Sequence, residues 1–315
     1  MKGSSNLALL LISEQGTFGT MVTPLISTDL IETIGPAKIT NNPNMTELSL
    51  VAGGHSQDAS IPGAVDQDLS FQVPMRVAAA DNVGQCGRLL RLCGMKEAEA
   101  TDGIFTYNFT SKQSEMKDGT AWLYSGNLDA NESIRKIGSN AVFAPKWTIE
   151  AGKFAVMDLS TKMCFAPWAA ATQPSITKEL TLPTAFIGAS TVTLLADNDY
   201  KLLSLSIDPQ MEVKLTKDPS ATYGYGVSVV TNRKIKFTAK VYRDNIATVD
   251  PMTLMLGKTI GALAIEYGTA PQKVKFGSTY AQITSIEEDD EEGVESWTIS
   301  GLFERNDFTI TLSTK

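Results

Sequence analysis

The chain holds a single imidazole. His55 lies in AGGHSQD, three residues before Asp58, where a carboxylate could orient it as a general base. Such chemistry also needs a nucleophile presented on a sharp turn, and no G-x-S-x-G elbow or comparable cysteine setting exists. A solvated loop histidine is the simpler reading, and no catalytic residue is assigned. The three cysteines, Cys86, Cys93 and Cys164, form no CxxC pair or Cys/His cluster, so no zinc site is expected. An odd cysteine count argues against a disulfide framework and for free thiols made in a reducing cytoplasm. Cys86 and Cys93 fall on one helical face, where burial is the ordinary fate of a thiol. The densest charge is the acidic run Glu287, Glu288, Asp289, Asp290, Glu291 and Glu292. Carboxylates suit calcium, but the D-x-D-x-D-G spacing of a calcium loop is missing. The run reads as a solvated turn between two strands. Glycines around Tyr223 and Tyr225 do not make a GxxxxGKT phosphate loop. Asn44, Asn108 and Asn131 stand in N-x-S/T sequons, which carry meaning only on secretion. No cofactor and no metal are expected.

The elements that would position such groups read as mainly β. With 315 residues there is room for one large or two ordinary domains. The formal charge of −8 argues against a protein that grips nucleic-acid phosphates, though not against a wall that nucleic acid slides past. No run approaches a membrane span, and NLALLLI is too short for a signal peptide. After a strand at Leu7–Ile12, residues 25–44 carry Gly35-Pro36 and Asn41-Asn42-Pro43 and read as an extended connector. TELSLV reads as a strand and 52–67 as a polar loop. Leu69, Phe71, Val73, Met75 and Val77 alternate with polar partners as a second strand, with Pro74 pointing to an edge or bulge. Helical spacing replaces alternation over 81–95, with Asp81 as N-cap and Gly94 as stop. GIFTYNFT, GTAWLYSGNL, SNAVFAPKWTIEA and KFAVMDLSTKM then read as short strands, and 169–183 as a linker.

The most organised stretch is Lys201–Asp244. Leu203, Leu205 and Ile207 alternate with polar residues, and Ile235, Phe237, Ala239 and Val241 alternate with Lys234, Lys236, Thr238 and Lys240. Between them MEVKLTK and YGVSVVT flank the turn-forming DPSATYG, predicting a long hairpin arm. Two strands alone are marginally stable, so Glu212, Lys214, Lys217, Tyr223, Tyr225 and Val227 are candidates for contact with another copy. The second half also repeats the order of the first: strand, long loop, strand, a short helix near 251–256, then strands, with Trp297-Thr298-Ile299 echoing Trp147-Thr148-Ile149. The reading is two related units, 1–172 and 173–315, the first led by an N-terminal arm and the second by the linker.

LALLLISEQGTFGTMVTP, IRKIGSNAVFAPKWTIEAGKFAVMDLSTKM, LLSLSID, RKIKFTAKVYRD and LFERNDFTITL together resemble the tail tube (major tail) proteins of long-tailed bacteriophages. The resemblance implies two tandem β-sandwich or β-barrel units, each with a short flanking helix. It implies rings that stack into a tube through which phage DNA passes without specific binding. Single-unit family members form hexameric rings, so a duplicated chain implies homotrimeric rings with pseudo-six-fold symmetry, a hexamer being the alternative. It further implies tape measure, tail terminator and distal tail proteins as partners, synthesis in the host cytoplasm and residence in the virion, with no membrane. The arm would join rings, and the acidic run would lie at the lumen or rim. The competing reading is a cell-surface or carbohydrate-binding β-sandwich adhesin using aromatics such as Trp122 and Trp168. A hydrolase on a β scaffold lacks an assembled acid, base and nucleophile.

Overall fold

The computed structural model describes residues 8–46, 61–77, 84–98, 103–126, 133–176, 182–187, 191–195, 200–243, 250–269 and 272–314. The chain is mainly β, with large antiparallel sheets. The first half supplies β1 (Leu9–Glu14), α1 (Ile26–Asp29), β2 (Leu30–Ile31), β3 (Lys38–Thr46), β4 (Ile61–Pro74) and α2 (Gly84–Leu92). It continues with β5 (Met95–Glu97), β6 (Ile104–Phe109), β7 (Gly119–Ser125), β8 (Ser133–Ala141), β9 (Ala144–Glu150) and β10 (Val156–Ala171). The second half supplies β11 (Thr191–Leu194), β12 (Leu202–Asp208), β13 (Glu212–Lys217), β14 (Tyr225–Asn232), β15 (Lys236–Tyr242) and α3 (Pro251–Leu256). It ends with β16 (Ile260–Tyr267), β17 (Lys273–Glu291), β18 (Val294–Phe303) and β19 (Thr309–Ser313).

Eight of these strands run side by side in the order β3, β4, β10, β9, β12, β15, β18, β17, all antiparallel. Alternation gives this sheet two chemically distinct faces. One row, read across successive strands, is Val73, Met157, Trp147, Ile207, Phe237, Gly301 and Ile283. A neighbouring row on the opposite face is Thr148, Ser206, Thr238, Ser300 and Ser285. The first face carries the core; the second carries hydroxyls and charges.

Two strands are long enough to leave this sheet and build the layer behind it. Val156–Ser160 of β10 lies between β4 and β9, whereas Cys164–Ala171 pairs with β8, which leads on to β7 and β1. β17 does the same: Ala281–Glu291 pairs with β18, and its earlier half lies between β16 and β19. The core between the layers is aromatic. Trp147 packs 5.3 Å from Phe308, Phe308 lies 5.6 Å from Phe303, and Phe303 stacks 5.2 Å from Phe237. Each such pair contributes about 0.5–1.5 kcal/mol beyond area burial. Strands from either side of the 172/173 division pair directly, β9 with β12 and β6 with β19.

The helix expected over 81–95 spans α2, with its apolar face (Cys86, Leu89, Leu90, Leu92) buried and Gly94, at φ +71°, ending it. Asp81 lies outside the described residues, as do His55, Asp58 and most of TELSLV. Several expectations need correction. The connector assigned to 25–44 contains β1's short partner β2 and the nine-residue β3, because β4 supplies a ladder that overrides the local turn signals. Pro43 sits at a register irregularity in that ladder. The loop assigned to 52–67 gives way to strand at Ile61 for the same reason. Pro74 ends β4 past the last residue that β3 pairs, so its missing N–H interrupts nothing on that side. SNAVFAPKWTIEA is two strands, broken at Val142 and Phe143 just past Asn140, which takes φ +58°. The linker begins later than 169, because β10 runs to Ala171.

Gly301 tests the packing of the eight-stranded sheet. A Cβ there would strike the Phe237 ring and the Gln282 carbonyl. Gly301→Ala is expected to cost about 1–3 kcal/mol through overpacking, read by chemical denaturation. An unchanged midpoint would show that the core at β15 and β18 is loosely packed.

Candidate functional site

The features that distinguish this chain are two surfaces of strands, the arm and the acidic run. The arm is β13 and β14, paired only with each other and slipping register twice. Its turn is fixed by Asp218, whose carboxylate accepts from the Ser220 N–H at 2.9 Å and hydroxyl at 2.6 Å, and by Gly224 at φ +77°. These hydrogen bonds hold the Asp218 carboxyl below its usual range. Glu212, Lys214 and Lys217 are exposed, whereas Tyr223, Tyr225 and Val227 are half-buried.

What half-buries them is the same chain. The Tyr223 ring meets Phe165 edge-on at 4.9 Å, and its carbonyl accepts from the Val65 N–H at 3.2 Å. The Gly226 carbonyl accepts from Asn140 Nδ2 at 2.8 Å and from Cys164 Sγ at 2.7 Å. Ser228, fully buried, donates to the Asn140 carbonyl. The tip thus rests on β4, β8 and β10, and the left-handed turn at Asn140 aims its amide at the arm. Burial pushes the Cys164 thiol up to about 11, outweighing the hydrogen bond with Asn140. Nearer its root the arm stands off the polar sheet face, leaving a groove of about 970 Å³ lined by Lys38, Lys146, Asp158, Asp208, Glu212 and Lys234 among others. This mixed lining suits water and counter-ions.

The acidic run is not a turn. Glu287 to Glu291 are the last residues of β17, in register with β18 from Thr298 to Val294, and only Glu292 and Gly293, both at positive φ, turn the chain. Paired backbone and an ionic clamp override the poor β-propensity of carboxylates. Lys240 of β15 reaches across β18 to Asp289 at 2.8 Å and Glu291 at 2.5 Å. Those hydrogen bonds, Asp289 first, raise the Lys240 pKa, and the same contact holds the Asp289 carboxyl below its usual range. Glu288 and Asp290 point to the other face, the side on which Trp297 and Ile299 are buried.

Both outer strands of the eight-stranded sheet are paired on one side only, among the described residues. β3 pairs with β4 alone, and β17 beyond Ile283 pairs with β18 alone. Sequence reading missed β3 as an edge because its Gly, Asn and Pro residues read as a connector; Ala37 and Ile39 alternating with Lys38 and Thr40 were the available signal. It also missed Asn140 and Phe165, whose roles exist only once the arm folds back. Trp122 and Trp168 do not form a bare aromatic platform, because Arg135 covers the first at 4.1 Å and Lys136 the second at 4.6 Å. Among the described residues no group of three or more His, Cys, Asp or Glu could hold a metal ion, and no helix is long and apolar enough to cross a membrane.

The tip contact makes Cys164 a reporter. Replacing both Asn140 and Tyr223 with alanine is expected to raise Cys164 labelling by a maleimide roughly ten-fold, with Cys86 and Cys93 still protected in the core. Equal Cys164 labelling in both proteins would show that the tip does not shield it.

No family model matches this chain, and no curated protein matches it.

Proposed function

We propose that this chain is a structural subunit of a hollow tube, a phage tail tube protein whose copies join side by side into rings. One observation carries this reading: the strand order β3–β4–β10–β9 recurs as β12–β15–β18–β17, and the two runs are joined by the ordinary strand pair β9–β12. The recurrence extends further. β8 and β9 together stand where β17 stands, β10 where β18 and β19 stand, β7 where β16 stands and β1 where β11 stands. Even an irregularity recurs, at Gly119/Ala121 against β8 and at Gly261/Leu263 against β17. These matches support two tandem units. They reassign the echo of the two Trp-Thr-Ile triplets, since Trp297 lies in β18, the counterpart of β10, and Trp147 in β9.

A four-strand unit that joins its neighbour edge to edge, and leaves like edges open at both ends, is a repeating element. Heterologous contacts of this kind close into rings when the rotation closes. The polar face of the eight strands suits a channel wall. The lysines of this face are interspersed with carboxylates, Lys146 opposite Asp158 and Lys236 opposite Asp208, and Lys240 is neutralised by Asp289 and Glu291, which leaves no unbroken basic stripe along the hydroxyl row. The arm's tip is seated in this chain on the neighbouring unit, and its exposed residues Glu212, Lys214 and Lys217 on β13 are what it offers to the next ring.

Electron microscopy and native mass spectrometry of the purified protein test the reading. Hollow stacked rings of three chains are expected, each with two units per chain. Monodisperse monomers at high concentration would contradict it, and rings of six chains would remove the duplication from the wall.

A further inference from the structure

Resting on that reading, we infer that the acidic stretch of β17 is a selective docking edge for β3 of a second copy, with Asp289 opposite Lys38. The intrachain junction supplies the register. β12 lies against β9 with Ile207 opposite Trp147, Ser206 opposite Thr148 and Leu205 opposite Ile149. Ile207 faces Phe237 in β15 as Ile39 faces Leu69 in β4, so Ser206 corresponds to Lys38. Pro145 and Trp147 face Leu159 and Met157, as Ile286 and Glu288 face Ile299 and Trp297, so Thr148 corresponds to Asp289. Repeating the junction between copies therefore sets Lys38 opposite Asp289 and Ile39 opposite Glu288.

The side chains fit this partner and reject others. Lys38 is exposed, and its ammonium would meet the Glu287–Asp289–Glu291 face across the new pair. Two β17 edges meeting would oppose carboxylate to carboxylate, which is unfavourable, so the ladder also guards an otherwise open edge. The two junctions differ in kind. Within the chain the inward residues are Trp147 and Ile149, fully buried; at the corresponding places on β17 stand exposed Glu288 and Asp290. The first junction is sealed by apolar burial during folding. The second, ionic and hydrated, forms afterwards and reversibly.

The test pairs a cross-link with a charge exchange. Directly opposed residues on antiparallel strands bring Cα atoms within about 5.5 Å, a separation a disulfide spans. Lys38→Cys combined with Asp289→Cys, oxidised in assembled tubes, should give covalently closed rings on a non-reducing gel, at least about ten-fold more than Lys38→Cys with Glu295→Cys. Independently, Lys38→Asp or Asp289→Lys alone should slow assembly, and the two together should restore it. Tubes that form from the double-cysteine variant without 38–289 links would overturn this junction and leave the tube reading standing. Failure of the exchange to rescue would overturn the ionic pairing. Absence of rings or tubes from the unaltered chain would sink the underlying reading.

Discussion

The structure depends on one strand pair, β9 against β12. Through it Trp147 and Ile149 of the first half meet Ile207 and Leu205 of the second, and two four-stranded runs become one eight-stranded sheet. The pair also brings the two aromatic sets together, so that Trp147 packs on Phe276 and Phe308. Replacing this junction by water would expose one of the largest fully buried side chains in the protein and open two further strand edges. On the proposed reading, folding and the repeat between copies rest on the same kind of contact.

The alternating residues made much of this fold legible. Strands β12 and β15 and the arm fall where alternation and Asp-Pro with paired glycines place them, and helix α3 falls where the repeated element order places it, its start fixed by the Asp250 carboxylate accepting from the Thr253 N–H. What was not legible arises from partners far along the chain. β3 becomes a strand because β4 pairs with it, and the acidic run becomes a strand because β18 and Lys240 hold it. The seat of the arm needed the left-handed Asn140 and the emergence of Phe165 from β10, neither of which has a local signature.

The arm and the acidic edge show two ways of handling unpaired β structure. The arm, too small to bury itself, shelters its tip on β4, β8 and β10 and keeps its charged strand β13 outward. The edge of β17 stays open and is protected by carboxylates, three on one face and two on the other. On the proposed reading, both are surfaces that a second copy would use, kept from premature pairing by their charge.

Helical reconstruction of assembled tubes by electron cryomicroscopy tests the central claim most directly. The account predicts a continuous wall in which each chain contributes eight strands in the order β3 to β17, with the Thr148–Ser206–Thr238–Ser300 row facing the channel. A wall in which β9 and β12 are separated, or in which that hydroxyl row faces outward, would contradict it.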